Sequence, residues 1–266
     1  MAVAISSNRA KSSSDRIVER LIFVITPVLF LLVWELLGDA GILNAVILPT
    51  PVKIVKAFWS LLLSGKFAKD FSASVVRVLL GFLYGTLAGL VLGILTGLFS
   101  KVSKALSVLF GILRPIPTIG LVPLMILWFG IGETSKVIVI AIGTFWSVLL
   151  NTQAGIEAAD SKLIEVARIL EKDRATVLFR VIMPAALPSL FTGIRLGIGN
   201  AWKSVVAAEM LAATKGIGHM IEYARELAQP AKMFVGILTV GIVGLLLDVG
   251  IRRLQKRLLT SQVRSA

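Results

Sequence analysis

Six long apolar stretches dominate this chain, and each is long enough to cross a lipid bilayer as a helix. A hydrocarbon core about 30 Å thick needs about 20 helical residues. The stretches occupy residues 18–38, 73–99, 105–130, 136–156, 185–213 and 232–251. Mean hydropathy is +0.90 and charged residues make up 16%, against about 25% in soluble domains. We therefore predict an all-α membrane protein with six transmembrane helices.

The basic residues predict which side of the membrane each connecting segment faces, because cytoplasmic flanks of membrane helices collect Lys and Arg. With the amino terminus inside, the cytoplasmic segments carry 16 such residues and the external segments 8. We predict that both termini are cytoplasmic. Residues 1–17 are then a disordered tail, 18–258 the transmembrane domain and 259–266 a second tail. The net charge of +13 follows from this topology and indicates no nucleic acid partner.

The second stretch has a glycine at every fourth position: Gly81, Gly85, Gly89, Gly93 and Gly97. In lipid, small residues at this spacing let helix backbones approach closely, since packing replaces the hydrophobic effect as the driving force. We predict a close helix contact along this ridge. Static packing is the simpler interpretation, and a surface that slides during a conformational change is the alternative.

Prolines interrupt the third stretch at Pro115, Pro117 and Pro123. Each removes a backbone donor and bends or breaks a helix, which is tolerated where protein or a cavity satisfies the freed carbonyls. We predict a kinked helix that faces the protein interior.

The segment 39–72 is predicted to be external and not to span the membrane. It begins with a Pro-x-Pro turn and continues as a short helix. Its apolar side carries Val52, Val55, Phe58, Trp59 and Leu62. We expect this helix to lie along the membrane surface.

Residue content excludes most catalytic chemistry. The chain has no cysteine and a single histidine, His219, so disulfides, thiol catalysis and histidine metal centres are excluded. The stretch 197–204, GIGNAWKS, resembles a phosphate-binding loop, but Trp202 stands where the second glycine is needed. We predict no catalytic residue, metal or cofactor in this chain. A membrane enzyme that uses isolated carboxylates is the alternative.

A polar segment, residues 157–184, separates the fourth and fifth stretches and has ten charged residues between Glu157 and Arg180. The topology places it in the cytoplasm. Its apolar positions recur at mostly helical spacing, which predicts two short amphipathic helices parallel to the membrane. Their apolar face needs lipid headgroups or another protein as a partner.

This segment resembles the EAA loop of the integral-membrane subunits of ABC importers, a pattern of E-A-A, three residues, Gly, nine residues and I-x-L-P. Residues 165–167 stand for E-A-A and residues 181–184 for I-x-L-P, while Glu171 occupies the glycine position. ILPTP, SVVRVLLGF, LRPIPTIGLVPLMILWFGIGE, MPAALPSLFTGIRLGIGNAW and VAAEML are similar to permeases of sulfonate, taurine and nitrate importers. The resemblance covers roughly residues 45–258.

The resemblance implies a type I ABC importer permease in the bacterial cytoplasmic (inner) membrane. Two copies would form a translocation path for a small anion such as an alkyl sulfonate, taurine or nitrate. Two ATPase subunits would bind ATP and Mg, and an extracytoplasmic solute-binding protein would deliver cargo to residues 39–72 and 214–231. The loop 157–184 would dock on the ATPase. Its coupling residues would be Glu165, Ala167, Arg168, Leu170, Glu171 and Pro184.

Ionisable residues at membrane depth are candidates for the translocation path, because charges in lipid tend to face cavities or partners. The candidates are Arg114, Arg195, Lys203 and Glu209. Arg195 and Lys203 are eight residues apart, which puts them on a similar helix face that could attract an anion. A structural ion pair is the alternative role for Glu209.

Arg77 and Asp248 are two further ionisable residues at membrane depth. The alternative for both Arg77 and Arg114 is a place near a span end, where the side chain can reach the headgroups. Asp248 is expected to pair with Arg252, four residues further along the helix. His219 is expected on the external surface.

Two other functions stay open at this stage. The chain could be an ABC permease for another small solute, such as bicarbonate, an aromatic carboxylate or a vitamin precursor. A secondary transporter or channel that acts alone is the other alternative, and it would need no cytoplasmic docking loop.

Overall fold

The computed structural model describes residues 13–263 of the chain, with side-chain placements from residue 25 to 257 except at 168 and 256. Every regular element in that part of the chain is helical. The helices are α1 (Ser13–Asp39), α2 (Pro51–Leu63), α3 (Lys66–Leu98), α4 (Ser100–Leu113), α5 (Thr118–Phe129), α6 (Glu133–Glu157), α7 (Ser161–Ile169), α8 (Arg174–Val177), α9 (Met183–Ala212), α10 (Ile217–Glu226) and α11 (Pro230–Val263). A π-helical turn, Leu178–Ile182, joins α8 to α9.

Four helices in the described part are long and apolar enough to cross a membrane. They are α3, α6, the continuous unit Arg174–Ala212 that ends with α9, and α11 over Pro230–Gln255. These helices coincide with the second, fourth, fifth and sixth predicted spans. The first predicted span lies within α1, but its side chains up to residue 24 are outside the described placements. The count of six therefore stays a prediction.

Parts of the predicted tails are helical. Because α1 begins at Ser13 and α11 ends at Val263, residues 13–17 and 259–263 belong to helices. Residues 1–12 and 264–266 lie outside the described part of the chain.

The third predicted span is not one kinked helix but two helices, α4 and α5, that meet at 95°. Pro115 and Pro117 both fall in the four-residue break, and Pro117 caps α5 with an extended ψ of 134°. Neither proline has a backbone N–H, so the helical hydrogen bonds are interrupted twice within three residues. Each proline also disfavours helical geometry in the residue before it. Helix α5 buries Val122 and Met125, whereas α4 buries no residue within this chain and contacts α6 at its edge, where the centroids of the Phe110 and Trp146 rings lie 5.4 Å apart.

Three helices, α3, α6 and α9, form the centre of the fold, and the predicted glycine ridge lies at one of their contacts. A Cβ atom added at Gly89 would sit 2.9 Å from the carbonyl oxygen of Phe145, and one at Gly93 would sit 2.7 Å from Cβ of Thr152. Gly193 of α9 repeats this closeness on the other side of α6, where a Cβ would be 2.8 Å from Cβ of Asn151. The prediction of a close helix contact is confirmed.

Helix α2 is apolar on two sides. Ile54 and Leu61 are buried and pack against Ile217 and Met220 of α10 and Val235 of α11. Four residues of the predicted stripe lie on the opposite side and are exposed: Val52, Val55, Trp59 and Leu62. The fifth, Phe58, was assigned to the wrong side, because it packs against the inner cluster. The inner side fastens the helix to the protein, and the outer stripe is available to lipid, as expected for a helix at the membrane surface.

Candidate functional site

The predicted coupling loop folds as two helices of unequal length. Helix α7 has nine residues. Helix α8 has four residues before the chain enters the π-helical turn and then α9. The second half of the loop is therefore the amino-terminal extension of a membrane helix. A displacement of the loop would act directly on α9.

Glu171 makes the turn between these helices. It adopts the left-handed conformation with φ of 52°, and the N–H of Lys172 donates to the carbonyl of Ala167 at 3.0 Å. This is a Schellman-type ending of α7, which usually has glycine at the left-handed position. The sharp turn that glycine makes in the EAA pattern is thus present with glutamate in its place.

Asp173 caps the helix that follows, a role that the sequence reading missed. Its carboxylate accepts hydrogen bonds from the hydroxyl of Thr176 and from the Thr176 N–H, the latter at 3.2 Å. These bonds hold the pKa of the Asp173 carboxyl below its ordinary value. The signal was available, because Asp at residue 173 opens a short helix as a typical N-cap residue.

The loop presents a group of exposed apolar side chains, which we call the coupling patch: Leu163, Val166, Ile169, Leu170 and Phe179. Ile169 is 74% exposed, Phe179 68% and Leu170 61%. Of the other predicted coupling residues, Glu165, Glu171 and Pro184 are exposed and Ala167 is buried. The side chain of Arg168 is outside the described placements. A patch of this kind marks a surface for a protein or membrane partner.

A second feature is a cavity of about 460 Å³ among α6, α9 and the break between α4 and α5, which we call the polar cavity. It brings together two of the predicted pathway residues, Arg114 and Lys203. Its other polar lining residues are Thr118, Ser147, Asn151, Asn200 and Ser204. None of the described residues that line it is acidic.

Hydrogen bonds fix part of the cavity wall. The side-chain amide of Asn200 donates to the hydroxyl of Ser147 at 2.7 Å, and that of Asn151 donates to the Ser147 carbonyl at 2.8 Å. Sequence reasoning missed this polar set. Its signal was the pairs Ser147/Asn151 and Asn200/Ser204, each four residues apart and hence on one helix face within an apolar span.

Glu209 lies outside the polar cavity, in a buried charged cluster. Arg77 donates to both carboxylate oxygens of Glu133, at 2.6 and 2.8 Å, and to Glu209 at 2.7 Å. Glu209 is fully buried and also accepts from the Ser74 hydroxyl at 2.8 Å and the Gly218 N–H at 2.9 Å. The structural ion pair, offered as the alternative role for Glu209, is the arrangement found.

Arg77 lies beside Glu133, the first residue of α6, so its expected place near a span end holds. Its side chain does not extend into solvent: Arg77 is 5% exposed, and its guanidinium donates to both carboxylates and to the Lys215 carbonyl, the last at 2.6 Å. A charge so far from water needs partners, and it has two carboxylates. Lys136, one of the eight basic residues assigned to the external segments, is also buried, and its ammonium group lies 3.0 Å from the Glu133 carboxylate.

Three further predictions concern Arg195, the pair of Asp248 and Arg252, and His219. Arg195 does not line the polar cavity with Lys203, because eight residues turn a helix by about 80° beyond two full turns. The Arg252 guanidinium lies 2.5 Å from the Asp248 carboxylate, which confirms the expected pair. His219 lies on α10 beside Tyr223, with the ring centroids 5.9 Å apart.

Comparison with known proteins places this geometry in a family. Residues 85–260 match the family model described as "Binding-protein-dependent transport system inner membrane component". The chain is 42% identical to SsuC of Bacillus subtilis, named for aliphatic sulfonates transport, over 89% of this chain and 86% of that protein. It is 34% identical to the taurine transport system permease TauC of Escherichia coli, over 88% and 86% of the two chains.

A third relative and a solved structure agree with this. The nitrate import permease NrtB of Synechocystis is 32% identical over 82% of each chain. The fold is similar to that of a chain in the inward-facing MetNI methionine ABC transporter. The TM-score is 0.63 at 17% identity, over 75% of this chain and 97% of that one.

Proposed function

Because this chain belongs to the inner-membrane components of binding-protein-dependent transport systems, the permease subunits of ABC importers, we propose that it forms the translocation path for a small anion. The anion class is that of alkyl sulfonates, taurine or nitrate, for which similar permeases are named. The subunit itself is not catalytic. A partner ATPase binds ATP and Mg and hydrolyses the nucleotide.

The polar cavity carries this proposal. Arg114 and Lys203 supply two positive charges, and Asn151, Asn200 and Ser204 supply neutral donors around the same space. In a membrane interior this set attracts an oxyanion, because hydrogen bonds to an ionised group are the strong ones. The absence of acidic side chains among the described lining residues favours anions over cations.

The loop 157–184 supports a second part of the proposal, mechanical coupling to the ATPase. The coupling patch lacks an apolar partner within the described chain, and α8 continues into α9, which lines the polar cavity. Motion of the patch would therefore reach the cavity wall through one continuous helical unit. We propose that the loop 157–184 docks on an ATPase subunit through this patch.

The assembly proposed is a homodimer with two ATPase subunits in the bacterial inner membrane. Both termini of each permease chain lie in the cytoplasm. An extracytoplasmic solute-binding protein docks on residues 39–72 and 214–231, which include α2 and α10. The exposed surface of α4, which buries no residue within one chain, is available to the second copy or to lipid.

The cavity proposal is tested by charge removal. Arg114→Gln and Lys203→Gln should each lower substrate-stimulated ATPase activity of the reconstituted complex by about tenfold or more, since a hydrogen bond to a charged group contributes about 1.5–3 kcal/mol. Lys101→Gln, an exposed lysine outside the cavity, is the matched control and should change nothing. A panel of sulfonates, nitrate, bicarbonate and aromatic carboxylates identifies the substrate. Stimulation by a neutral or cationic compound alone would exclude an anion path.

The turn at Glu171 gives a second test. Glu171→Gly should preserve co-purification of the ATPase subunit, because glycine adopts the left-handed conformation without the cost of about 1 kcal/mol that a side chain incurs. Glu171→Val should reduce co-purification several-fold, since a β-branched residue is strained at positive φ. Equal behaviour of the two variants would mean that this turn does not shape the docking surface.

A further inference from the structure

A groove opens to the side of the protein between the first turns of α3 and α6, and we call it the lateral groove. Its volume is about 590 Å³. Its charged lining residues are Lys69, Arg77, Glu133 and Lys215, and its apolar ones are Ala73, Val76, Leu80 and Val137. Along α3 the lining runs from Lys69 to Leu80 and along α6 from Glu133 to Val137. The groove therefore has a charged end, which we call its mouth, and an apolar end, and the paired Arg77 lies between them.

The direction of this change follows the membrane normal. Lys69 lies in the first turn of a spanning helix, Glu133 begins another and Lys215 follows the end of a third. Leu80 is eleven residues beyond Lys69, which is about 16 Å along the helix, or roughly half of a 30 Å hydrocarbon core. Val76 and Leu80 are exposed apolar side chains at this depth, so the wall that they form is open to lipid. The mouth lies at headgroup level and the apolar part at acyl-chain level.

The mouth carries unbalanced positive charge. Arg77 and Lys136 are matched by Glu133 and Glu209 in the buried cluster. Within the described residues, neither Lys69 nor Lys215 has a carboxylate within salt-bridge distance. Asp70 is close in sequence but is buried outside the groove lining, where one oxygen accepts the Gly216 N–H at 3.0 Å. Two ammonium groups are thus left to face an anion at the bilayer surface.

We propose that the lateral groove binds an anionic glycerophospholipid. The phosphate lies between Lys69 and Lys215, with the Ser72 hydroxyl beside it, and one acyl chain follows Val76 and Leu80 into the bilayer. A free small anion would leave the apolar half of the groove unfilled, and a zwitterionic lipid would bring its own cation to the two lysines. The bound lipid joins α3, α6 and the end of α9, the same three elements that the charged cluster joins.

Lipid retention by the permease–ATPase complex in phosphatidylcholine nanodiscs, with and without phosphatidylglycerol, tests this site. Native mass spectrometry should find phosphatidylglycerol retained by the wild-type complex. The double variant Lys69→Gln/Lys215→Gln should retain about 30-fold less, since each of the two basic residues near the surface contributes about 1 kcal/mol toward anionic lipid. The matched control Lys53→Gln/Lys56→Gln alters two lysines of α2 that do not line the groove, and it should retain as much as the wild type.

Three results would overturn the site. Equal phosphatidylglycerol retention by the double variant and the wild type would show that the two lysines take no part in lipid binding. Equal retention of phosphatidylcholine would reduce it to an apolar groove. Displacement of the lipid by inorganic phosphate would indicate a site for a free anion. The experiment needs no transported substrate, so it is independent of the proposed anion path.

Discussion

Replacing Leu170 by Lys should abolish transport while the protein stays folded in the membrane. Leu170 is 61% exposed on the coupling patch, so the substitution creates no cavity inside this chain. It places an ammonium group in the proposed apolar contact with the ATPase subunit, where an unpaired charge is costly. Loss of a central interface anchor of this type costs about 2 kcal/mol or more, or roughly 30-fold in affinity. We expect the ATPase subunit to be lost during purification and ATP-dependent uptake to fall to background.

Leu254→Lys is the matched control for this experiment. Leu254 is similarly exposed, at 55%, and lies on α11 outside the loop. This variant should keep both the ATPase subunit and uptake. If Leu170→Lys also kept both, the coupling patch would have no part in docking.

Glu209→Gln should cause the largest loss of stability of any single substitution considered. The carboxylate accepts bonds from Ser74, Arg77 and the Gly218 N–H, and a neutral amide can neither balance Arg77 nor accept from all three donors. Breaking a buried ion pair by removal of one partner costs about 3–5 kcal/mol. We expect the apparent melting temperature of the purified complex to fall by about 10 °C.

Glu133→Gln is the comparison for that measurement. Glu133 bonds to the same arginine, but its side chain is 64% exposed, so water can replace part of the hydrogen bonding that the substitution removes. Its melting temperature should fall by no more than a few degrees. Equal shifts in the two variants would contradict the view that Glu209 holds the cluster together.

Hydropathy was sufficient to locate the spanning helices, because a bilayer requires about 20 apolar residues per helix and four of the predicted spans coincide with such helices. The glycine contact was predictable for a similar local reason, since the spacing of four residues is set by the helix itself. Pro115 and Pro117 indicated that the third predicted span is interrupted. Its angle of 95° depends on the packing of α5 against α6 and α9, which no local pattern contains.

Contacts between distant residues account for most of what the sequence did not reveal. Arg77 and Glu209 are 132 residues apart, so nothing in the neighbourhood of either residue indicated their pair. Lys203 lines the polar cavity and Arg195 does not, because a helix turns by about 100° per residue and eight residues leave the two side chains about 80° apart. The left-handed turn at Glu171 was not predicted, since residues with a side chain seldom adopt that conformation and glutamate stands at the glycine position of the EAA pattern.

Site-directed cross-linking of the loop tests most directly whether residues 157–184 pass work from the ATPase to the membrane helices. The chain contains no cysteine, so Ile169→Cys introduces a single thiol at the most exposed position of the coupling patch. We expect a thiol-to-amine reagent with an internal disulfide to join this thiol to a lysine of the ATPase subunit, and uptake to stop until the disulfide of the reagent is reduced. Labelling of the thiol from outside intact cells by a membrane-impermeant reagent, with no cross-link to the ATPase, would contradict this mechanism.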